Sequence, residues 1–185
     1  MPTRRTILQL PLLAWAALGA LGVRAQSATP PEISTELPTA LAAGSSRMRF
    51  FGLSIYDAKL WVTPGFKAAT YAQHPLALEL TYLRALSGKA IAERSLTEMR
   101  RAGPLPAATE ARWLAAMQAA FPDVKEGDRI TGVHLPAVGA RFYVNRQLRS
   151  TITDAEFSRL FFGIWLSDAT SEPRLRQELL AGVPG

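Results

Sequence analysis

The sequence predicts an α+β domain: one largely antiparallel sheet with helices packed on one face. Three observations predict it. Short segments separated by Gly, Pro and Asn turn signals fall into two groups, each followed by helical patterns, in the order β-β-β-α-α-β-β-β-α-α. Leu76, Leu78, Leu80 and Tyr82 alternate with Ala77, Glu79 and Thr81, as in a half-buried strand. Phe157, Leu160, Phe161, Ile164 and Trp165 follow the i, i+3, i+4, i+7, i+8 spacing of a helix buried on one side.

The chain of 185 residues opens with Arg4 and Arg5, then an apolar run from Ile7 to Val23 broken by Pro11, Gly19 and Gly22, then Val23-Arg24-Ala25. This is the pattern of a cleavable export signal over residues 1–25, of the general secretory or the twin-arginine type. It predicts a periplasmic protein beginning at Gln26, with no stable membrane anchor after processing. Arg4, Arg5 and Arg24 belong to this leader, so half of the formal net charge of +6 leaves with it. The modest remainder gives no reason to expect a nucleic-acid partner.

Residues 26–35 are polar and Pro-rich and read as a flexible segment ahead of a domain over 36–185. Ala43-Gly44-Ser45-Ser46 reads as a turn into a strand from about Arg47 to Phe51. Gly52 separates it from a second strand over 54–62, which Thr63-Pro64-Gly65 ends. The alternating strand over 76–83 follows. Ser87 caps a helix that reaches about Ala102 and stops at Gly103-Pro104, with Ile91, Leu96 and Met99 toward the core. The next helix, about Thr109 to Phe121, carries Trp113, Leu114, Met117, Ala120 and Phe121 on one face. Strands over about 129–135, 140–144 and 148–151 are divided by Pro136-Ala137-Val138-Gly139 and Asn145-Arg146. Thr153 and Glu156 have capping-box spacing before the large apolar helix. A last short helix has Ser171 as N-cap, Pro173 in its first turn, Leu175 and Leu179 on one side and Gly182 beyond its end.

Several chemistries are excluded or disfavoured by composition. With no cysteine there is no disulfide, thiol nucleophile, iron–sulfur ligation or c-type haem attachment. His74 and His134 lie in different segments without a second ligand at metal spacing, and no phosphate-binding, dinucleotide or serine-nucleophile turn is present. No cofactor and no metal is expected, and no catalytic residue is assigned.

Four segments carry a family resemblance: SIYDAKLWV (54–62), LALELTYLRALSGKAIAERSLTEMRRAG (76–103), PDVKEGDRITGVHLPAVGARFYVN (122–145) and DAEFSRLFFGIWLSDATSEPRLRQELLAG (154–182). In order and spacing the chain resembles the bacterial chalcone isomerase-like family from about residue 36 to 182. The resemblance implies an open-faced β-sandwich with a ligand cleft between sheet and helices. It puts Arg47 where the plant isomerases hold an anionic substrate oxygen and fatty-acid-binding members hold a carboxylate, a task that suits the planar guanidinium. It puts Tyr56 where the plant enzymes have threonine, and Ser158 at a late Ser/Thr position. It puts Ile91 and Glu98 where those enzymes have a ketone-binding tyrosine and an asparagine.

Arg47, Tyr56 and Ser158 are thus the candidate ligand-binding residues, and the loss of the tyrosine donor argues against efficient chalcone cyclisation. Read without the resemblance, Arg47 is a solvated strand arginine sharing a face with Arg49. Tyr56 is then a half-buried sheet residue, and Trp113, Met117, Phe157, Phe161 and Trp165 are core. Three functions remain open: a non-catalytic binder of a small apolar acid such as a fatty acid, a cofactor-free isomerase or lyase with another acid–base set, and an envelope scaffold with a closed cleft. In the last, Arg129, Arg141, Arg146 and Arg149 would form the docking face for a protein partner.

Overall fold

A computed structural model describes residues 28–183, so the leader and its cleavage site lie outside the described residues. The strands are β1 (Leu41–Phe50), β2 (Leu53–Val62), β3 (Leu76–Tyr82), β4 (Arg129–Leu135), β5 (Gly139–Val144) and β6 (Gln147–Ile152). They form one six-stranded sheet in sequence order, each pairing antiparallel with the next. The helices are α1 (Pro31–Glu36), α2 (Gly88–Met99), α3 (Ala107–Ala120), α4 (Ala155–Leu166) and α5 (Pro173–Leu179), with 3-10 turns at Ala68–Gln73 and Arg100–Ala102. This is the expected α+β architecture.

The alternation in β3 sorts its residues as the period requires. Leu76, Leu78, Leu80 and Tyr82 join the large core under α2–α5, while Ala77 joins a smaller cluster on the opposite face. The main core is dense in aromatics: Phe121, Phe142, Phe157 and Phe161 meet at ring-centroid distances of 5.0–6.3 Å, mostly edge to face. At the far edge α5 backs directly onto β1. A Cβ on Gly44 would lie 2.3 Å from the Glu178 carbonyl oxygen, so only glycine permits that approach.

Four expectations are corrected. First, residues 31–36 are not a flexible lead-in: they form α1, which covers the second face of the sheet. Ile33 is wholly buried with Leu37 and Ala40 against Trp61, Ala77, Val133 and Tyr143. Glu32 is buried and accepts from Arg129 at 2.7 Å and Thr131 at 3.0 Å, and Glu36 accepts from Arg141 at 2.7 Å and also from Tyr143. The helices therefore do not all lie on one face.

Second, β1 begins at Leu41, and Ala43-Gly44-Ser45-Ser46 is strand with an irregularity between Ala42 and Gly44. The small residues there make room for α5 rather than a turn. Third, the N-cap of α4 is Asp154, whose carboxylate accepts from the Phe157 amide at 2.9 Å, in place of the Thr153 box. Fourth, α5 is capped at Glu172, not Ser171, without a side-chain bond. Ser87 does cap α2, accepting from the Ala90 amide at 3.2 Å.

Candidate functional site

The sheet's concave side and the helices leave a cleft of about 300 Å³ between β1–β3 and α2, α4 and the start of α5. Its wall is mostly apolar: Met48, Ile55, Leu80, Ile91, Phe161 and Trp165 are representative. The polar groups are few: Tyr56 and Tyr82 on the sheet, Arg94, Ser95 and Glu98 on α2, and Ser171 and Glu172 at the α4–α5 junction. Strand period and pairing place the two tyrosines. Tyr56 sits opposite Tyr82 across β2–β3 and opposite Met48 across β1–β2, so all three project to the helix side.

Helical spacing places the α2 group. Ile91, Arg94, Ser95 and Glu98 recur at i, i+3, i+4 and i+7 and form the stripe beside the buried Ala92, Leu96 and Met99.

The Tyr56 hydroxyl accepts from the Trp165 ring N–H at 3.0 Å, which leaves its own proton free to donate. Burial pushes its pKa up to about 12, with the Trp165 hydrogen bond opposing the shift. Burial pushes Tyr82 up as well, and its hydroxyl has no hydrogen-bond partner among the described residues. Both phenols are therefore neutral donors near neutral pH and are unsuited to act as bases. The Glu98 side chain is only 9% exposed; its Oε1 pairs with Arg94 at 2.5 Å, while Oε2 has no hydrogen bond and lies 3.8 Å from Arg101. Arg94 is the only cationic side chain lining the cleft among the described residues.

The structure separates the three expected site residues. Tyr56 is in the cleft. Arg47 is not: it shares the opposite face of the sheet with its β2 partner Asp57, which it grips with two bonds of 2.6 and 2.8 Å. The reason is the strand period, since Met48 and Phe50 take the cleft-facing positions of β1. Ser158 is fully buried on another side of α4, where its hydroxyl donates to the Gly139 carbonyl at 2.9 Å and meets His134 Nδ1 at 2.6 Å. His134 Nε2 faces the Ala72 carbonyl at 2.9 Å, so this pair is a tie between the sheet and the Ala68–Gln73 turn.

Ile91 and Glu98 do reach the cleft, as the resemblance implied, and Glu98 turns inward. Of the expected core side chains, Phe161 and Trp165 also wall the cleft, whereas Trp113, Met117 and Phe157 lie outside its lining. Two residues the sequence reading missed, Tyr82 and Arg94, were signalled by spacing. Tyr82 ends the apolar alternation of β3, and Arg94 stands four residues before Glu98.

A family model described as chalcone isomerase-like matches residues 41–181. A Haemophilus influenzae protein described as uncharacterized is 31% identical over 116 residues, 62% of this chain; the match spans 56% of that protein's length. Among solved structures, the fold is similar to an Arabidopsis thaliana fatty-acid binding protein. The TM-score is 0.58 at 8% identity, with 77% of this chain and 87% of that one covered.

Proposed function

We propose that this chain, which belongs to the chalcone isomerase-like family, is a non-catalytic binder of a small apolar acid, with a fatty acid the first ligand to test. The observation that carries the reading is the cleft: about 300 Å³, apolar for most of its wall, with its few polar groups on β2, β3, α2 and the α4–α5 junction. That volume is at the lower end of ligand pockets, which run roughly 300–1,000 Å³. A hydrocarbon chain would lie against Leu80, Phe121, Ile130 and Phe161. Its head group would receive hydrogen bonds from Tyr56 and Tyr82 and a charge from Arg94. Arg101 already stands 3.8 Å from Glu98, so Glu98 keeps a cation when Arg94 turns to a ligand carboxylate. The related fold of a fatty-acid binding protein supports the same class of ligand.

Isomerase chemistry has less support. Ile91 lines the cleft where a hydrogen-bond donor to a ketone would be required, and burial makes the cleft tyrosines weaker acids, not stronger ones. A closed-cleft scaffold has less still, because two of its proposed docking arginines, Arg129 and Arg141, are engaged by α1.

Calorimetry of the purified protein with dodecanoate is the test. Saturable binding that Arg94→Ala weakens and Arg47→Ala leaves unchanged supports the proposal; loss of chalcone well above the spontaneous rate would replace it with catalysis. Export remains part of the proposal and rests on Arg4, Arg5 and the apolar run to Val23. N-terminal sequencing of the cell-made protein should read Gln26, and Met1 retained on the stable protein would refute it.

A further inference from the structure

We propose that the tip of the β1–β2 hairpin is a membrane-docking wedge that sets the mouth of the cleft against a lipid bilayer. The tip is Phe50-Phe51-Gly52-Leu53, whose three apolar side chains are 48%, 90% and 53% exposed. None of the three belongs to either hydrophobic core cluster. Phe51 has φ 47° and Gly52 φ 78°, the two left-handed residues of a tight hairpin turn. Asparagine or glycine is favoured at the first of these; a bulky side chain there is strained.

The same chain supplies a comparison. The β5–β6 turn holds Asn145 at the same φ of 47°, followed by Arg146 at 77°. There the asparagine suits the turn and also ties it down, accepting from the Arg129 amide at 2.9 Å and donating to Asp128 at 3.0 Å. At the cleft the sequence uses phenylalanine, which is both strained and exposed. An outlier carrying two costs for one edge-to-face contact with Phe50, itself 48% exposed, points to function.

The position of the tip supplies the occupant. Phe50 and Ile55 line the cleft, and Arg94 lies 5.9 Å over the Phe50 ring, so the wedge and the cleft mouth are continuous. Arg49 precedes the tip, and Arg84 stands at the same end of the sheet, just beyond Leu83, whose amide bonds the Ile55 carbonyl. An aromatic and aliphatic tip flanked by arginines suits a bilayer surface, with rings among the acyl chains and guanidinium groups at the phosphates. A second protein copy fits poorly. The three side chains expose on the order of 300–400 Å², scaling from ~150–250 Å² per aromatic, against the roughly 800 Å² per partner of a stable interface. A sparingly soluble ligand could then pass between membrane and cleft without crossing water. That purpose rests on the proposed binding of an apolar acid; the docking itself does not.

The test is flotation of the purified protein with vesicles of phosphatidylcholine containing a minor fraction of phosphatidylglycerol. Wild type, Phe51→Asn, Leu53→Ser and, as a control, Leu148→Ser would be compared. Phe51→Asn and Leu53→Ser should each reduce vesicle binding roughly tenfold or more, with Leu148→Ser unchanged. Phe51→Asn should keep or raise the melting temperature, since it relieves the turn, and should leave the affinity for dissolved dodecanoate as it was. Absence of flotation by wild type, or flotation of Phe51→Asn equal to wild type, would overturn the wedge. So would a lowered melting temperature in Phe51→Asn, which would make the ring structural, or a concentration-dependent dimer abolished by that change, which would make the tip a contact between copies. Flotation intact with no dodecanoate binding at all would remove the cleft reading and leave the wedge standing.

Discussion

Arg94 and Glu98 decide what the polar end of the cleft can hold. Arg94 is the cleft's cation, yet half of its side chain is in water, so its hold on a carboxylate is screened. Arg94→Ala should therefore weaken dodecanoate by about three- to tenfold, less than a desolvated pair would. Glu98→Gln removes a like charge and should tighten it. Tyr56→Phe acts differently, because the hydroxyl also satisfies the Trp165 N–H. Losing it should lower stability by about 1–3 kcal/mol in addition to weakening the ligand, which thermal melting without ligand would read.

His134 offers a pH test. Burial drives its pKa below the usual value of 6.5, with the Ala72 carbonyl opposing. The unfolded chain then binds the extra proton more readily than the folded one. The associated stability is complete above about pH 6.5 and declines as pH falls through 6.5 toward the lowered folded value. Chemical denaturation between about pH 5 and 7 should show a slope that flattens in His134→Gln. Tyr56 was pointed to the cleft by the family resemblance, since its strand segment taken alone reads only as half-buried sheet. Arg47 was put in the cleft by the family resemblance alone; the strand period, which made it a solvated arginine on the face of Arg49, was the better guide.

At the scale of elements, α1 carries the largest departure. Six residues with two prolines beside them have little helical tendency of their own. The segment is helical because Ile33 fills the space over Trp61 and Val133 while Glu32 and Glu36 meet Arg129, Arg141 and Tyr143. All of those partners lie far along the chain, so no local pattern announces the helix. Ile33→Ala should cost about 2–4 kcal/mol, measured by urea denaturation; a cost below about 0.5 kcal/mol would mean the segment is dispensable. The strands over 129–135 and 54–62 and the helices from Ser87 and before Pro122 were legible, since their turn and cap residues act within a few positions. The start of β1 was not: its small residues look like a turn but serve the approach of α5 at Gly44.

At the scale of the molecule, one sheet carries α1 over the middle of one face and larger helices over the other, which they leave partly open. The cleft exists because α2 and α4 stand off the β1–β3 end of the sheet, while Phe121 and the α4 rings Phe157 and Phe161 pack around Phe142 at the β4–β5 end. Periodicity could forecast two layers and a core, but not whether the layers meet everywhere. That depends on side-chain volumes summed across elements. The central claim is that this gap is a binding site rather than loose packing, and filling it discriminates the two. Ile91→Trp places a larger ring in the cleft from a half-exposed position on α2. The account predicts that calorimetry with dodecanoate shows saturable binding by wild type and none by Ile91→Trp, with the melting temperature of the variant held or raised. No binding by wild type, or undiminished binding by a stably folded Ile91→Trp, would contradict it.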